Sequence, residues 1–312
     1  MVTVSTSSRH TTATMNAKRP PEIEGWLNLR IYHPLSDRLA ALLKPTGITP
    51  NMVSFAGFLF ICAAAWAYTG LTWPVSAALG FFLHVSWHVI DGADGQLARI
   101  TGKASATGEL VDGVCDYAGH VVLYVALAEF LDDWLGGWAW VTAWAAAISH
   151  IIQSNHTETE RRVYRWWAYG TGWLGQAQKE GDDVFKRRTW FTLLFGTWVP
   201  LYLWISRVIN PGSATVDAAF AEAAGDPALV ERMRAIVREE AKAAVLYQHL
   251  VGPNPRAIVL GISMALGSPL WFFLFTLGPQ NVVLALSIRE HHALNRRLTV
   301  RLRAEIDAAG AG

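Results

Sequence analysis

The chain has 312 residues, of which 52% are hydrophobic and only 16% charged, with a formal net charge of +1. So near-neutral a balance excludes a nucleic-acid binder driven by bulk positive charge. The apolar composition and fifteen tryptophans instead fit a protein embedded in a bilayer, since Trp favours the water–lipid boundary.

Residues 1–22 are polar and rich in Ser and Thr, lack the apolar core of a secretory signal, and are expected to be disordered. Residues 23–48 follow as an amphipathic juxtamembrane segment. There Trp26, Leu27, Leu29, Ile31, Tyr32, Leu35, Leu39, Leu42 and Leu43 are interleaved with Arg30, Arg38 and Lys44, the pattern of a helix lying on a membrane surface. From 49 to 290 the chain reads as one all-α integral membrane domain. Apolar runs of the roughly 17–25 residues needed to cross a bilayer fall at 52–68, 73–90, 112–131, 138–152, 190–208 and 258–277, predicting a bundle of six transmembrane helices. Gly267-Ser268-Pro269 should kink the last, and Gly278-Pro279 precedes a further apolar stretch at 282–288. Residues 209–255 read as an extramembrane helical insertion, broken at Gly225-Asp226-Pro227 and carrying no chemical motif. Residues 291–312 read as a basic cytoplasmic tail. No repeat of diagnostic period is evident. Cys62 lies in an apolar run and Cys115 between acids, so both read as small buried fillers rather than as a disulfide or a catalytic thiol.

Orientation follows from the basic residues of short loops. The turns at 70–72 and 132–137 contain no Lys or Arg. The opposite side collects Arg99 and Lys103, then Arg161, Arg162, Arg165, Lys179, Lys186, Arg187 and Arg188, then Arg296, Arg297, Arg301 and Arg303. A multi-pass protein with its polar site on the cytoplasmic side of a membrane, the bacterial inner membrane being the expected one, is the reading.

Four aspartates interrupt this apolar sequence: Asp91 and Asp94, then Asp112 and Asp116. Ionisable residues within membrane segments are costly and mark functional sites. Asp91 and Asp94 lie at i and i+3, with Gly95 and Ala98 continuing the stripe, while Gly108, Asp112 and Asp116 fall at i, i+4 and i+8 of a second helix. Two helices facing along these stripes would gather four carboxylates, whose mutual repulsion calls for divalent cations. Hard oxygen ligands suit Mg²⁺, Mn²⁺ or Ca²⁺, and no Cys or His cluster beside the acids suggests zinc. The small residues would let a bulky ligand approach the backbone, and Arg99 offers a fork for phosphate.

The spacing Asp91-x-x-Asp94-Gly95-x-x-Ala98-Arg99-x8-Gly108-x3-Asp112-x3-Asp116 resembles the signature of the CDP-alcohol phosphotransferase family, with every fixed position filled. The segment Leu43-Lys44-Pro45-Thr46-Gly47-Ile48-Thr49-Pro50-Asn51 also looks like the lead into that family's first membrane helix. The close resemblance covers about 30–119. It implies an enzyme that displaces CMP from a CDP-linked donor with an alcohol, using two Mg²⁺ or Mn²⁺ ions. By similarity Asp91, Asp94 and Asp112 are metal ligands. Asp116 is the general base and a further metal contact, and Gly95, Ala98, Arg99 and Gly108 shape the CDP site.

The acceptor is less defined. Arg161, Arg162 and Arg165 follow the fourth span and could hold an acceptor phosphate, although a positive-inside anchor explains them equally well. Asp91 to Arg99 looks similar to members that use inositol phosphate, whereas Gly108 to Asp116 resembles aminoalcohol phosphotransferases acting on diacylglycerol. Phosphatidyl transfer from CDP-diacylglycerol to a polar alcohol is the favoured reading, and aminoalcohol transfer to a lipid the alternative. The expected partners are the CDP-linked donor, the acceptor alcohol, membrane lipids and a second copy of the chain, with no nucleic acid. A divalent-cation transporter would also carry intramembrane acids, but it would not account for Ala98-Arg99 or the interposed small residues.

Overall fold

A computed structural model of the chain describes residues 20–171, 204, 208 and 213–311, and all regular structure among them is helical. After a 3-10 turn (Pro21–Ile23) and a π-helical turn (Asn28–Tyr32) come α1 (His33–Leu43), α2 (Pro50–Gly70), α3 (Val75–Ile100), α4 (Ala106–Leu135) and α5 (Gly137–Tyr169). The second half of the chain contributes α6 (Ser213–Glu222), α7 (Pro227–Glu240), α8 (Lys242–Val251), α9 (Pro253–Ala265), α10 (Leu270–Leu277) and α11 (Pro279–Gly310). These residues form two compact units, one of Glu24–Ile151 with Gly252–Asn281, the other of Met1–Ile23, Ile152–Val251 and Val282–Gly312.

In the first unit the helix starts are set locally. Thr49 caps α2 by accepting from the Met52 N–H at 3.4 Å, with Pro50 at the first helical position where its missing N–H is harmless. Ser105 caps α4 by accepting from the Gly108 N–H at 3.1 Å. Ile61, Tyr68, Leu123, Leu127, Leu260 and Phe273 form the fully buried centre. In lipid, apolar surface alone gives helices little reason to associate, so close approach and hydrogen bonds carry the packing. On α3, a Cβ at Gly80 would overlap the Tyr68 ring of α2. A Cβ at Gly92 would stand 2.6 Å from Ser36 Oγ of α1, and the Ser36 hydroxyl donates to the Val89 carbonyl at 2.8 Å. These contacts seat α1 against the turn of α3 that carries Asp91 and Asp94.

Among the described residues three helical stretches are long and apolar enough to cross a membrane: Pro50–Gly70, Thr107–Leu135 and Leu270–Gly310, the last with Gly278 between α10 and α11. Exposed Phe55, Leu59, Trp66, Phe82, Val121 and Trp144 give the first unit an apolar exterior. The expected spans at 73–90 and 138–152 fall on α3, which begins two residues later at Val75, and within α5, and their apolar runs are diluted by His84, Ser86, His88, Ser149 and His150. The span expected at 190–208 lies outside the described residues, Trp204 and Val208 apart. The one expected at 258–277 is two helices rather than one kinked helix. The chain turns at Gly267, whose φ of 85° suits glycine, and Ser263 Oγ donates to the Ser268 carbonyl at 2.5 Å while accepting from the Phe272 N–H at 3.0 Å.

The expected amphipathic segment is divided among the π-helical turn, α1 and a 3-10 turn (Lys44–Thr46), with Ser36 and Ala40 buried and Trp26, Leu35 and Leu42 exposed. Residues 1–19 lie outside the described residues.

The second unit buries Trp167, Met233, Val237, Leu298 and Leu302 in its own core. Asp226 accepts from the Ala228 and Leu229 N–H groups at 2.9 and 3.1 Å and so starts α7, which places the helix break where Gly225-Asp226-Pro227 predicted one. Leu229, Met233, Ile236 and Val237 turn inward at helical spacing, while Glu240 meets Arg301 at 2.6 Å and Arg297 at 2.9 Å. The residues of the expected basic tail form the last turns of α11, anchored by buried Leu294, Leu298 and Leu302.

Candidate active site

The end of α3 and the start of α4 bring the motif together in the first unit. The two helices are joined by a short turn through Gly102, whose φ is 66°. Asp91, Asp112 and Asp116 can each present an oxygen such that all three lie within 4.8 Å of one another. Asp94 joins them through Asp112, with which it is in side-chain hydrogen-bond contact, as Asp116 is with Asp91. The helical stripes read from the sequence therefore do converge.

Asp94 differs from the other three acids. It is buried, its Oδ2 accepts from Ser54 Oγ at 2.5 Å, and its Oδ1 accepts from the Gly95 N–H. Asp116 is held from the other side, because the Trp87 indole Nε1–H donates to its Oδ1 at 3.3 Å. Neither Ser54 nor Trp87 stood out in the sequence, since each meets its acid across 40 and 29 residues respectively.

The remaining motif positions surround the acids. Arg99 Nε donates to Gln96 Oε1 at 3.3 Å, and a Cβ at Gly95 would lie 3.5 Å from the Arg99 guanidinium. Ala98 is half-buried on the same helix. A Cβ at Gly108 would stand 3.2 Å from Ser105 Oγ and 3.7 Å from Asn51 Oδ1, so this glycine keeps the start of α4 close to the start of α2. Arg161, Arg162 and Arg165 lie on α5 in the second unit, where Arg162 pairs with Glu158 at 2.7 Å. Both cysteines are free and half-buried.

A carboxylate set of this kind suits a hard divalent cation: the donors are all oxygen, and no thiol or imidazole belongs to the group. Like charges so close cannot all stay ionised without a counter-cation.

Comparison with known proteins agrees with this geometry. The chain is 33% identical over 102 residues to the archaetidylinositol phosphate synthase of Pyrococcus horikoshii, a match covering 32% of this chain and 50% of that protein. The chain thus spans half the length of that curated relative. The pattern that defines CDP-alcohol phosphatidyltransferases matches residues 47–212, taking in α2 to α5 and every position of the aspartate motif. With more than half of its length matched, the chain belongs to the CDP-alcohol phosphatidyltransferase family.

Proposed function

We propose that this membrane protein is a divalent-metal-dependent CDP-alcohol phosphotransferase of phospholipid biosynthesis. It moves a phosphatidyl group from CDP-diacylglycerol to the hydroxyl of a polar alcohol, releasing CMP. The observation that carries the reading is the convergence of Asp91, Asp112 and Asp116 to within 4.8 Å, on positions inside the family match. The relative's name, archaetidylinositol phosphate synthase, supports an inositol phosphate as the acceptor.

In this reading Asp91, Asp94 and Asp112, with Asp116 as a further contact, would hold two Mg²⁺ or Mn²⁺ ions. When bound, the ions neutralise the diphosphate and the charge that develops on departing CMP. Asp116 takes the acceptor hydroxyl's proton as the oxygen bonds to phosphorus and the bond from phosphorus to the CMP oxygen breaks. Trp87 and Ser54 hold the carboxylates of Asp116 and Asp94 in place. Arg99 meets a donor phosphate, while Gly95, Ala98 and Gly108 leave room for the CDP portion. The site faces the cytoplasm of a bacterial inner membrane, as the lysine and arginine loops favour, within a six-span bundle that works as a homodimer.

The test is CMP release by the purified protein in lipid nanodiscs with CDP-diacylglycerol and Mg²⁺ or Mn²⁺. CMP should appear only when acceptor is added, and chelation should stop it. Metal crossing a vesicle membrane without CMP release would overturn the reading in favour of a transporter.

A further inference from the structure

Four histidines continue the acid stripes into the first unit. His88 lies one turn before Asp91 on α3 and His84 a turn before that, His120 lies one turn after Asp116 on α4, and α5 adds His150. Their rings meet: His84 and His88 stack at 6.1 Å, His84 and His120 at 6.4 Å, and His120 and His150 at 5.0 Å between centroids. Trp87, which donates to Asp116, lies 4.6 Å from His88 and 4.9 Å from His120, so the imidazoles adjoin the acids directly.

The cluster's hydrogen bonds are incomplete. The His120 Nδ1–H donates to the Asp116 carbonyl at 2.7 Å, which leaves Nε2 as an acceptor, and His150 Nδ1 shares a hydrogen bond with the Tyr124 hydroxyl at 3.1 Å. His84 Nδ1 and His88 Nε2, on side chains only 4% and 8% exposed, have no partner. Buried polar atoms are rarely left so, because the loss of water is uncompensated. Arg256 of α9 is also buried, and α9 packs against α3, where a Cβ at Gly261 would overlap the Phe81 ring one turn before His84. A second metal is the weaker explanation: among the described residues only the aspartates bring three ligand atoms within 4.8 Å, and the Arg256 charge would oppose a cation.

We infer that His84, His88, His120, His150, Tyr124 and Arg256 form the acceptor pocket, and that its guest is a polyol monophosphate. Imidazoles and a phenol both donate and accept hydrogen bonds, as hydroxyls do, so a polyol completes the bonding of the cluster, while Arg256 meets the phosphate. An amino alcohol would bring an ammonium, which the buried Arg256 guanidinium would repel. The reacting hydroxyl would then lie beside Asp116. This inference rests on the transfer reading above, and it assigns acceptor recognition to these residues rather than to Arg161, Arg162 and Arg165.

The experiment measures binding of an inositol monophosphate, of inositol and of CDP to the full chain in nanodiscs, without turnover. Arg256→Gln should weaken the phosphorylated polyol by more than about tenfold and abolish its advantage over inositol, with partial recovery in Arg256→Lys. His150→Ala and the milder His150→Gln should weaken both polyols. CDP binding should be unchanged in every variant, which also certifies folding. Wild-type polyol binding in Arg256→Gln and both His150 variants, or a loss carried by Arg161→Gln or Arg165→Gln instead, would overturn the pocket. A wild-type protein that binds the phosphorylated polyol yet never releases CMP would keep the pocket and sink the transfer reading.

Discussion

Replacing Trp87 by Phe removes one hydrogen-bond donor from Asp116 while leaving an aromatic ring among Gly57, His88 and His120. Hydrogen bonds to charged groups contribute about 1.5–3 kcal/mol. At 3.3 Å between Nε1 and Oδ1 this one belongs at the lower end. Since about 1.4 kcal/mol corresponds to tenfold in rate, turnover should fall by about one order of magnitude if the bond aims the base at the reacting hydroxyl. The assay is CMP release at saturating donor and acceptor, which separates positioning of Asp116 from any disturbance of substrate binding, with CDP affinity measured alongside. Trp134→Phe, at a side chain 81% exposed, is the control and should leave turnover unchanged. Turnover within about twofold of wild type in Trp87→Phe would refute the positioning argument, as would a loss of CDP affinity equal to the loss of turnover.

The acids should separate by role: Asp112→Asn should lose Mn²⁺ affinity together with turnover, whereas Asp116→Asn should lose about 10²- to 10⁴-fold in turnover and keep most of its metal affinity, as read by Mn²⁺ titration. Equal loss of metal in both would make Asp116 chiefly a ligand. Gly108→Leu and Arg99→Ala should raise the dissociation constant for CDP more than that for the acceptor, the first because the side chain would crowd Ser105 and Asn51. The opposite order in paired titrations would move these residues to the acceptor side. In the second unit, hydrogen bonds from Arg301 and then Arg297 hold the Glu240 carboxyl below its usual range, although burial opposes this. A lowered folded-state value means that the pairing stabilises the protein above the ordinary carboxylate range and is lost as pH falls below it. The Tm advantage of wild type over Glu240→Gln should therefore be present at neutral pH, small because the partners are solvated, reduced by salt, and lost as pH falls from the ordinary carboxylate range of about 4 through the lowered Glu240 value. A difference that persists in acid would point to packing instead of charge.

The aspartate stripe was legible because helix periodicity is local: residues three and four apart share a face whatever surrounds the helix, so Asp91 and Asp94, or Asp112 and Asp116, could be placed without knowing their neighbours. The same holds for the break at Gly225-Asp226-Pro227, where a capping Asp and a proline act within one turn. Membrane character was readable from composition, since burial in lipid demands long apolar runs, and Gly267-Ser268-Pro269 marked an interruption of the sixth run. That the interruption ends one helix and begins another, instead of bending a single one, was decided where Gly267 takes a positive φ and the Ser263 side chain closes the turn.

Tertiary structure alone decided which partner each acid meets. Asp94 is engaged by Ser54 of α2 and Asp116 by Trp87 of α3, and no local pattern announces hydrogen bonds that close only when separate helices pack. It also drew His84, His88, His120 and His150 from three helices into one cluster, although each alone reads as an ordinary residue of an apolar stretch. Arg161, Arg162 and Arg165, adjacent in sequence to the fourth apolar run, belong to the other compact unit. Spacing along a helix specifies which face a side chain occupies, while the side chain opposite is chosen by close packing between helices distant in sequence, as where Gly80 admits Tyr68 and Gly92 admits Ser36.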